Sequence, residues 1–248
     1  MIQAVSTLIS GGHGFFMGAV GQKMLLDEFC PEWPHVVMVE NGSYPEYKIK
    51  YLKEMGCEIR IVPALRTKPT RFAAGRWPKT FTKLNLWNLT EFEHVLFMDA
   101  DAYPYHEAAY TLLKEIEPDF LGATTFHNNK NRFRSGMMVV RPEESRFQHL
   151  REYLKRNPVE IGAKLGDQGV LNCYVNHNNI DWVRICYHWH TVIWPVKPQN
   201  IIIGHIRPKP WQSDPRLPCG RKNGIHPYVD IWKRAILKAE SKYGRIPD

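Results

Sequence analysis

The chain has 248 residues, 44% hydrophobic and 23% charged, a globular composition that can bury a sizeable core and excludes a disordered or fibrous chain. Thirty-three Lys and Arg against 25 Asp and Glu give a net charge of +8 and a pI near 9.2, a balance suited to an anionic partner. The basic residues are spread along the chain rather than gathered in a tail, which favours a phosphorylated small ligand over nucleic acid.

Five cysteines (Cys30, Cys57, Cys173, Cys186, Cys219) include no Cys-x-x-Cys pair, which argues against a zinc ribbon and gives little support to a disulfide framework. The N-terminal Met1–Ser10 lacks the basic and apolar regions of a signal sequence and reads as a first core strand. No apolar run approaches the roughly 18 residues that span a bilayer. A cytoplasmic protein without a membrane span is expected.

In chain order, Ala4–Ser10 reads as a strand, Gly11-Gly12-His13-Gly14 as a flexible turn and Phe15–Phe29 as a helix. His35–Val39 is a second strand, Pro45–Met55 a helix opened by its proline, and Glu58–Val62 a third strand. This cadence predicts βαβ units and a parallel sheet. A basic loop carrying Arg66, Lys68, Arg71 and Arg76 leads to a helix beginning near Pro78 and running through Lys83 and Trp87. A strand through His94–Met98 follows, then a helix around Glu107–Ile116, strands Phe120–Ala123 and Gly136–Val140, and a helix from Pro142 to about Arg156. Aromatic and proline-rich pieces follow from Trp182 to Trp211, with a strand Ile201–His205, and an amphipathic helix closes the chain at about Pro227–Lys242. No repeat, low-complexity segment or linker divides the chain. A single domain over 1–248 is expected, with parts at about 1–125 and 126–212 and a C-terminal helix at about 227–242.

The most informative run is Phe97-Met98-Asp99-Ala100-Asp101, a buried apolar strand ending in two carboxylates. If the strand geometry continues, alternation brings Asp99 and Asp101 to one side. The carboxyl ends of strands in open α/β sheets are where ligands bind, and two hard oxygens there suit Mg²⁺ or Mn²⁺ held against a diphosphate. The triplet alone equally suits a turn whose aspartates cap the next helix. Gly166-Asp167-Gln168-Gly169 opens an apolar helix, where Asp167 could simply be its cap. Ile201–His205 ends in a histidine and leads to Lys209-Pro210-Trp211; beside two carboxylates, one imidazole favours Mn²⁺ over Ca²⁺. A lone helical lysine such as Lys83 is ordinarily a solvated charge.

Together these segments resemble the glycogenin-like glycosyltransferases of family 8. The resemblance rests on Thr82-Lys83-Leu84-x-x-Trp87, Phe97–Asp101, Ser135-Gly136, Gly166–Gly169, and His205 with Lys209-Pro210-Trp211, in the family's order and across roughly residues 3–212. It implies an α/β GT-A fold, a Rossmann-like, mostly parallel sheet with helices on both faces, that binds a nucleoside-diphosphate sugar, usually UDP-linked. By the same resemblance Asp99, Asp101 and His205 hold Mn²⁺, with Mg²⁺ as the alternative, and Lys209 touches the diphosphate. Leu8 and Ser10 lie beside the base, and Ala100, Ser135 and Gly136 also line the nucleotide-sugar site. Lys83, Asp167 and Gln168 face the donor sugar, and the anomeric configuration is retained. The partners implied are a nucleotide-sugar donor and a carbohydrate or glycan acceptor; oligomeric state is not read.

The chain also departs from the family. Arg134 stands where the family has Asn or Asp before its Ser/Ala-Gly pair, and Lys164 where glycogenin has a second carboxylate, so the donor sugar is open. No counterpart of glycogenin's self-glucosylated tyrosine is found, which points to a separate acceptor. Tyr187, Trp189, Trp194 and Trp211 suit either a sugar-stacking platform or core packing. His188 and His190 flank Trp189 without further ligands. Two other readings stay open from sequence: metal-dependent phosphoryl transfer, and a basic nucleic-acid-binding module with a degraded transferase site.

Overall fold

The computed structural model describes residues 2–66, 79–126, 129–156, 166–185, 190–193, 203–206 and 227–248. Its centre is a sheet of seven strands: β1 (Ala4–Ile9), β2 (His35–Glu40), β3 (Glu58–Val62), β4 (Val95–Met98), β6 (Leu121–Phe126), β7 (Asn129–Val140) and β8 (Val183–Ile185). Their order is β3-β2-β1-β4-β7-β6-β8. The first four run parallel, β7 is antiparallel to both its neighbours, and β6 pairs parallel with β8. A second sheet joins β5 (Ala102–Pro104), β10 (Ile203–Ile206) and β9 (His190–Ile193) in that order.

Every residue of β2 and β4 is buried, and β1 is nearly so, because both sheet faces are covered. Their sequences are accordingly continuous apolar runs. One face carries α1 (His13–Phe29) and α6 (Pro227–Tyr243), whose Phe16, Val20, Trp232 and Ala239 share a core. The other carries a 3₁₀ helix (Thr80–Asn88), α4 (Glu144–Arg156) and α5 (Gly166–His177), which bring Leu84, Trp87, Leu150 and Tyr174 together. Trp87 is fully buried and stacks on Phe120 at 5.2 Å between ring centroids. The short helices α2 (Glu46–Glu54) and α3 (Ala108–Leu113) complete the described helices. Among the described residues no helix is long and apolar enough to cross a membrane.

Several expectations are corrected. The turn before α1 is only Gly11-Gly12, both at positive φ, and His13 and Gly14 already belong to the helix. The helix expected through Lys83 is of 3₁₀ type and starts at Thr80, while Pro78 lies outside the described residues. The strand expected at Gly136–Val140 begins seven residues earlier, at Asn129, because its exposed polar half pairs with β6 as a hairpin arm. Asp99 and Asp101 do not continue the strand. β4 ends at Met98 and the chain turns at once, with Ala102 N donating to Asp99 O at 2.8 Å.

Gly21 fixes how closely α6 approaches α1: a Cβ there would lie 2.5 Å from Trp232 Nε1. Gly21→Ala is expected to destabilise the protein by about 1–3 kcal/mol despite alanine's better helix propensity, because the buried indole must move. Denaturant unfolding checks this; a gain in stability would contradict the close packing of α1 and α6.

Candidate active site

Adjacent elements deliver the site residues to the carboxyl end of the sheet. β4 ends in the turn Asp99–Ala102, β7 supplies Ser135 and Gly136, α5 opens with Asp167 and Gln168, and the 3₁₀ helix carries Lys83. Lys83 is buried, and its Nζ lies 2.8 Å from Asp99 Oδ1, 2.7 Å from Asp167 Oδ2 and 3.1 Å from the Ser135 carbonyl oxygen. An ammonium has three hydrogens, so all its donors are used. Lys83 therefore joins two carboxylates and is not left with a hydrogen for a ligand. Burial opposes its charge, yet Asp167 and then Asp99 outweigh burial and hold the ammonium above the ordinary lysine range. Its Nζ also lies 4.8 Å from the centroid of the Phe97 ring.

Asp167 Oδ2 also accepts from Ser135 Oγ at 2.7 Å. Thr80 Oγ1 accepts from Asp167 N at 3.2 Å, and Gln168 Oε1 from Ser135 N at 3.3 Å. Gly166, at φ 57, makes the bend that starts the helix on Asp167.

The Asp99–Ala102 turn is fastened from several sides. Gly136 O accepts from Asp99 N at 2.9 Å, and Tyr103 Oη donates to Ala100 O at 2.9 Å. From α1, the fully buried Gln22 donates through Nε2 to Ala102 O at 2.7 Å and to Asp99 O at 3.2 Å. Both amide hydrogens of Gln22 are thereby spent, so its Oε1 accepts from His35 Nε2 at 2.9 Å. His35 Nδ1 then faces the Cys57 thiol at 3.7 Å as the acceptor. Burial raises that thiol to about 12, so it stays protonated and can donate. Burial first, and Lys23 second, pull His35 down to about 3, so it stays neutral.

A second cluster anchors the 3₁₀ helix. Thr82 Oγ1 donates to Glu40 Oε2 at 2.8 Å and accepts from Arg66 Nη1 at 2.8 Å, while Arg66 also pairs with Glu40. Arg66 is thus tied to Glu40 and does not serve as a free cation of the basic loop; Lys68, Arg71 and Arg76 lie outside the described residues. Lys79 brings its ammonium to the end of β1, where a Cβ on Gly11 would lie 2.9 Å from Nζ.

Leu8 and Ser10, partly exposed, stand at the carboxyl end of β1, and Ala100 and Asp101 are buried in the turn. His205 is paired in register with Ala102, the neighbour of Asp101, and the structure describes its backbone alone. By their chemistry two carboxylates and an imidazole would suit Mn²⁺, and here Asp99 and Asp101 share one turn while the His205 backbone lies beside Ala102. Among the described residues, side chains of three potential ligands do not cluster. Lys209, Lys164, Tyr187, His188, Trp189, Trp194 and Trp211 lie outside the described residues, as does the side chain of His190.

The sequence reading missed Gln22, Thr80 and Lys79. A glutamine within the apolar stretch Gly18-Ala19-Val20-Gly21-Gln22 was the available signal for the first. Nothing in the sequence distinguished the other two from surface polar residues.

The fold is of the GT-A type found in glycosyltransferases. The galactosyltransferase LgtC, solved with donor and acceptor sugar analogs, matches with a TM-score of 0.61 at 11% identity, over 99% of this chain and 98% of that one. GlyE of Streptococcus pneumoniae TIGR4 matches at 0.65 and 16% identity, over 94% of this chain and 60% of that one. At these identities the likeness is one of fold. In sequence, UDP-glucuronate:xylan alpha-glucuronosyltransferase 1 of Arabidopsis thaliana is 29% identical over 175 residues, 68% of this chain and 24% of the relative. Glycogenin-1 of Saccharomyces cerevisiae (strain ATCC 204508 / S288c) is 26% identical over 125 residues, 45% of this chain and 20% of the relative. In sequence the chain is similar to these glucuronosyltransferase and glycogenin relatives. These alignments cover a quarter or less of the two curated relatives. No protein-family model matches the chain.

The neutral His35 sets a pH dependence. The unfolded chain takes up a proton near 6.5 that the native state refuses until about 3, so this group's contribution is full above 6.5 and is lost as pH falls. The slope for one such group is at most about 1.4 kcal/mol per pH unit. Denaturant unfolding of wild type and His35→Gln between about pH 7 and pH 4 should show a shallower loss in the variant. Equal slopes would contradict a buried neutral imidazole.

Proposed function

We propose that the chain transfers a sugar from a nucleoside-diphosphate sugar, UDP-linked, to a carbohydrate or glycan acceptor with retention of anomeric configuration. The observation that carries this reading is the Lys83 ammonium between Asp99 and Asp167, which links the carboxylate turn to the mouth of α5. UDP is the favoured carrier because the Arabidopsis xylan relative is a UDP-glucuronate transferase.

In this reading Leu8 and Ser10 border the base, and Ala100, Ser135 and Gly136 line the donor. Asp99, Asp101 and His205 hold Mn²⁺, with Mg²⁺ as a substitute. Bound there, the cation supplies Lewis-acid stabilisation of the departing diphosphate. Lys209 is assigned to the diphosphate, and Lys79 adds positive charge near the end of β1. Asp167 turns Oδ1 to the donor sugar, with Gln168 beside it orienting sugar hydroxyls. Oδ2 shares its charge with Lys83 and Ser135, which suits electrostatic stabilisation of a cationic sugar ring better than nucleophilic attack. Lys83 acts as a positioning residue.

Release of UDP from a panel of UDP-sugars, in Mn²⁺ and in chelator, tests this. Asp101→Asn is expected to lower Mn²⁺-dependent turnover by at least about a hundredfold, since even residues behind a metal ligand are worth tenfold or more. Its near-isosteric side chain should leave the circular dichroism native. Full activity of that variant in chelator would contradict the proposal.

A further inference from the structure

Among the described residues beside Ser135 and Gly136, the donor-site reading leaves the half-buried Arg134 unaccounted for. It precedes Ser135, which bonds Asp167 and Gln168, and Gly136, whose carbonyl receives Asp99 N. The strand is irregular at this point. Thr125 is paired with Phe133 and Ala123 with Met138, so two steps along β6 correspond to five along β7. Such bulges release side chains from the ladder and re-aim them, and they recur beside active sites.

Charge accounting among the described residues points to the same residue. Lys83 has spent its donors on two carboxylates and a carbonyl, and Arg66 is paired with Glu40. Arg134 is half-buried and stacks on Phe126, its guanidinium carbon 5.2 Å from the ring centroid. Among the described residues it has no carboxylate partner, and its buried Nε donates to nothing. Burial pulls the guanidinium below its ordinary range, and no acidic group among the described residues offsets the loss of water. Arg132 stacks on the same ring at 5.9 Å but is exposed. A desolvated guanidinium with an unused planar fork is the group that recognises a carboxylate bidentately.

We propose that Arg134, held in the β7 bulge next to Ser135, reads a carboxylate on the donor sugar, so that the preferred donor is a nucleoside-diphosphate uronate rather than a neutral hexose. This rests on the donor-site reading above. It makes Arg134 the specificity-determining residue.

The test is calorimetric titration of UDP, UDP-glucose and UDP-glucuronate, each with Mn²⁺, into wild type, Arg134→Asn and Arg134→Lys. In wild type, UDP-glucuronate is expected to bind about ten- to a hundredfold tighter than UDP-glucose, as a charge-assisted contact gives. In Arg134→Asn that ratio should collapse to about one, and in Arg134→Lys it should fall between, because lysine keeps the charge and loses the fork. Equal wild-type affinities for the two sugars would overturn the proposal, whether or not either variant folds. So would an Asn variant that weakens both sugars alike, since that is the mark of a structural role on Phe126. Failure of UDP itself to bind would instead sink the donor-site reading, and this inference with it.

Discussion

The site depends on one buried ammonium. Lys83 is buried beside the Phe97 ring, where an unpaired charge is untenable, and it survives there because two carboxylates and a carbonyl take its three hydrogens. The converse also holds. Asp99 and Asp167 lie on segments 68 positions apart in sequence, and the shared cation brings their carboxylates together without letting them repel. Removing Lys83 or Asp167, the two buried members, leaves the other uncompensated, which typically costs about 3–5 kcal/mol. The ion cluster therefore specifies where the carboxylate turn stands relative to α5.

The rest of the architecture supplies the parts of that cluster. The parallel half of the sheet ends its strands at one edge, and β4 lies at the centre of that half's contact with β7. Gln22 reaches from the opposite helical layer to hold the turn, with His35 and Cys57 behind it in a chain whose proton positions are fixed by the donors available. Glu40, Arg66 and Thr82 hold the 3₁₀ helix that presents Lys83. Rigid second contacts of this kind keep a constellation in place. They also explain why the polar residues at this edge are buried at all.

Much of the fold was legible because β1, β2 and β4 are buried on both faces, which writes them as apolar runs, and because α1 and α2 separate them at βαβ spacing. The order of the motifs also pointed to the carboxylate turn and the opening of α5. What sequence could not give was geometry. The turn at Asp99–Ala102 breaks the alternation that a continuing strand would have imposed, and Lys83 looks like a solvated helical charge until its neighbours are seen. The first half of β7 reads as a loop, since Lys130, Asn131 and Arg132 face water and only hairpin pairing makes them a strand. The pieces β5, β8 and β9 are three or four residues long, too short for any period to show.

The most direct test of the central claim is a double-mutant cycle by denaturant unfolding on Lys83→Met, Asp167→Leu and the pair. If the ammonium and the carboxylate exist for each other, each single change should cost about 3–5 kcal/mol, and the double change should cost far less than their sum. A coupling of about 2 kcal/mol or more would support a shared buried ion cluster as the organising element of the site. Single-mutant costs that add to within about 0.5 kcal/mol would contradict it.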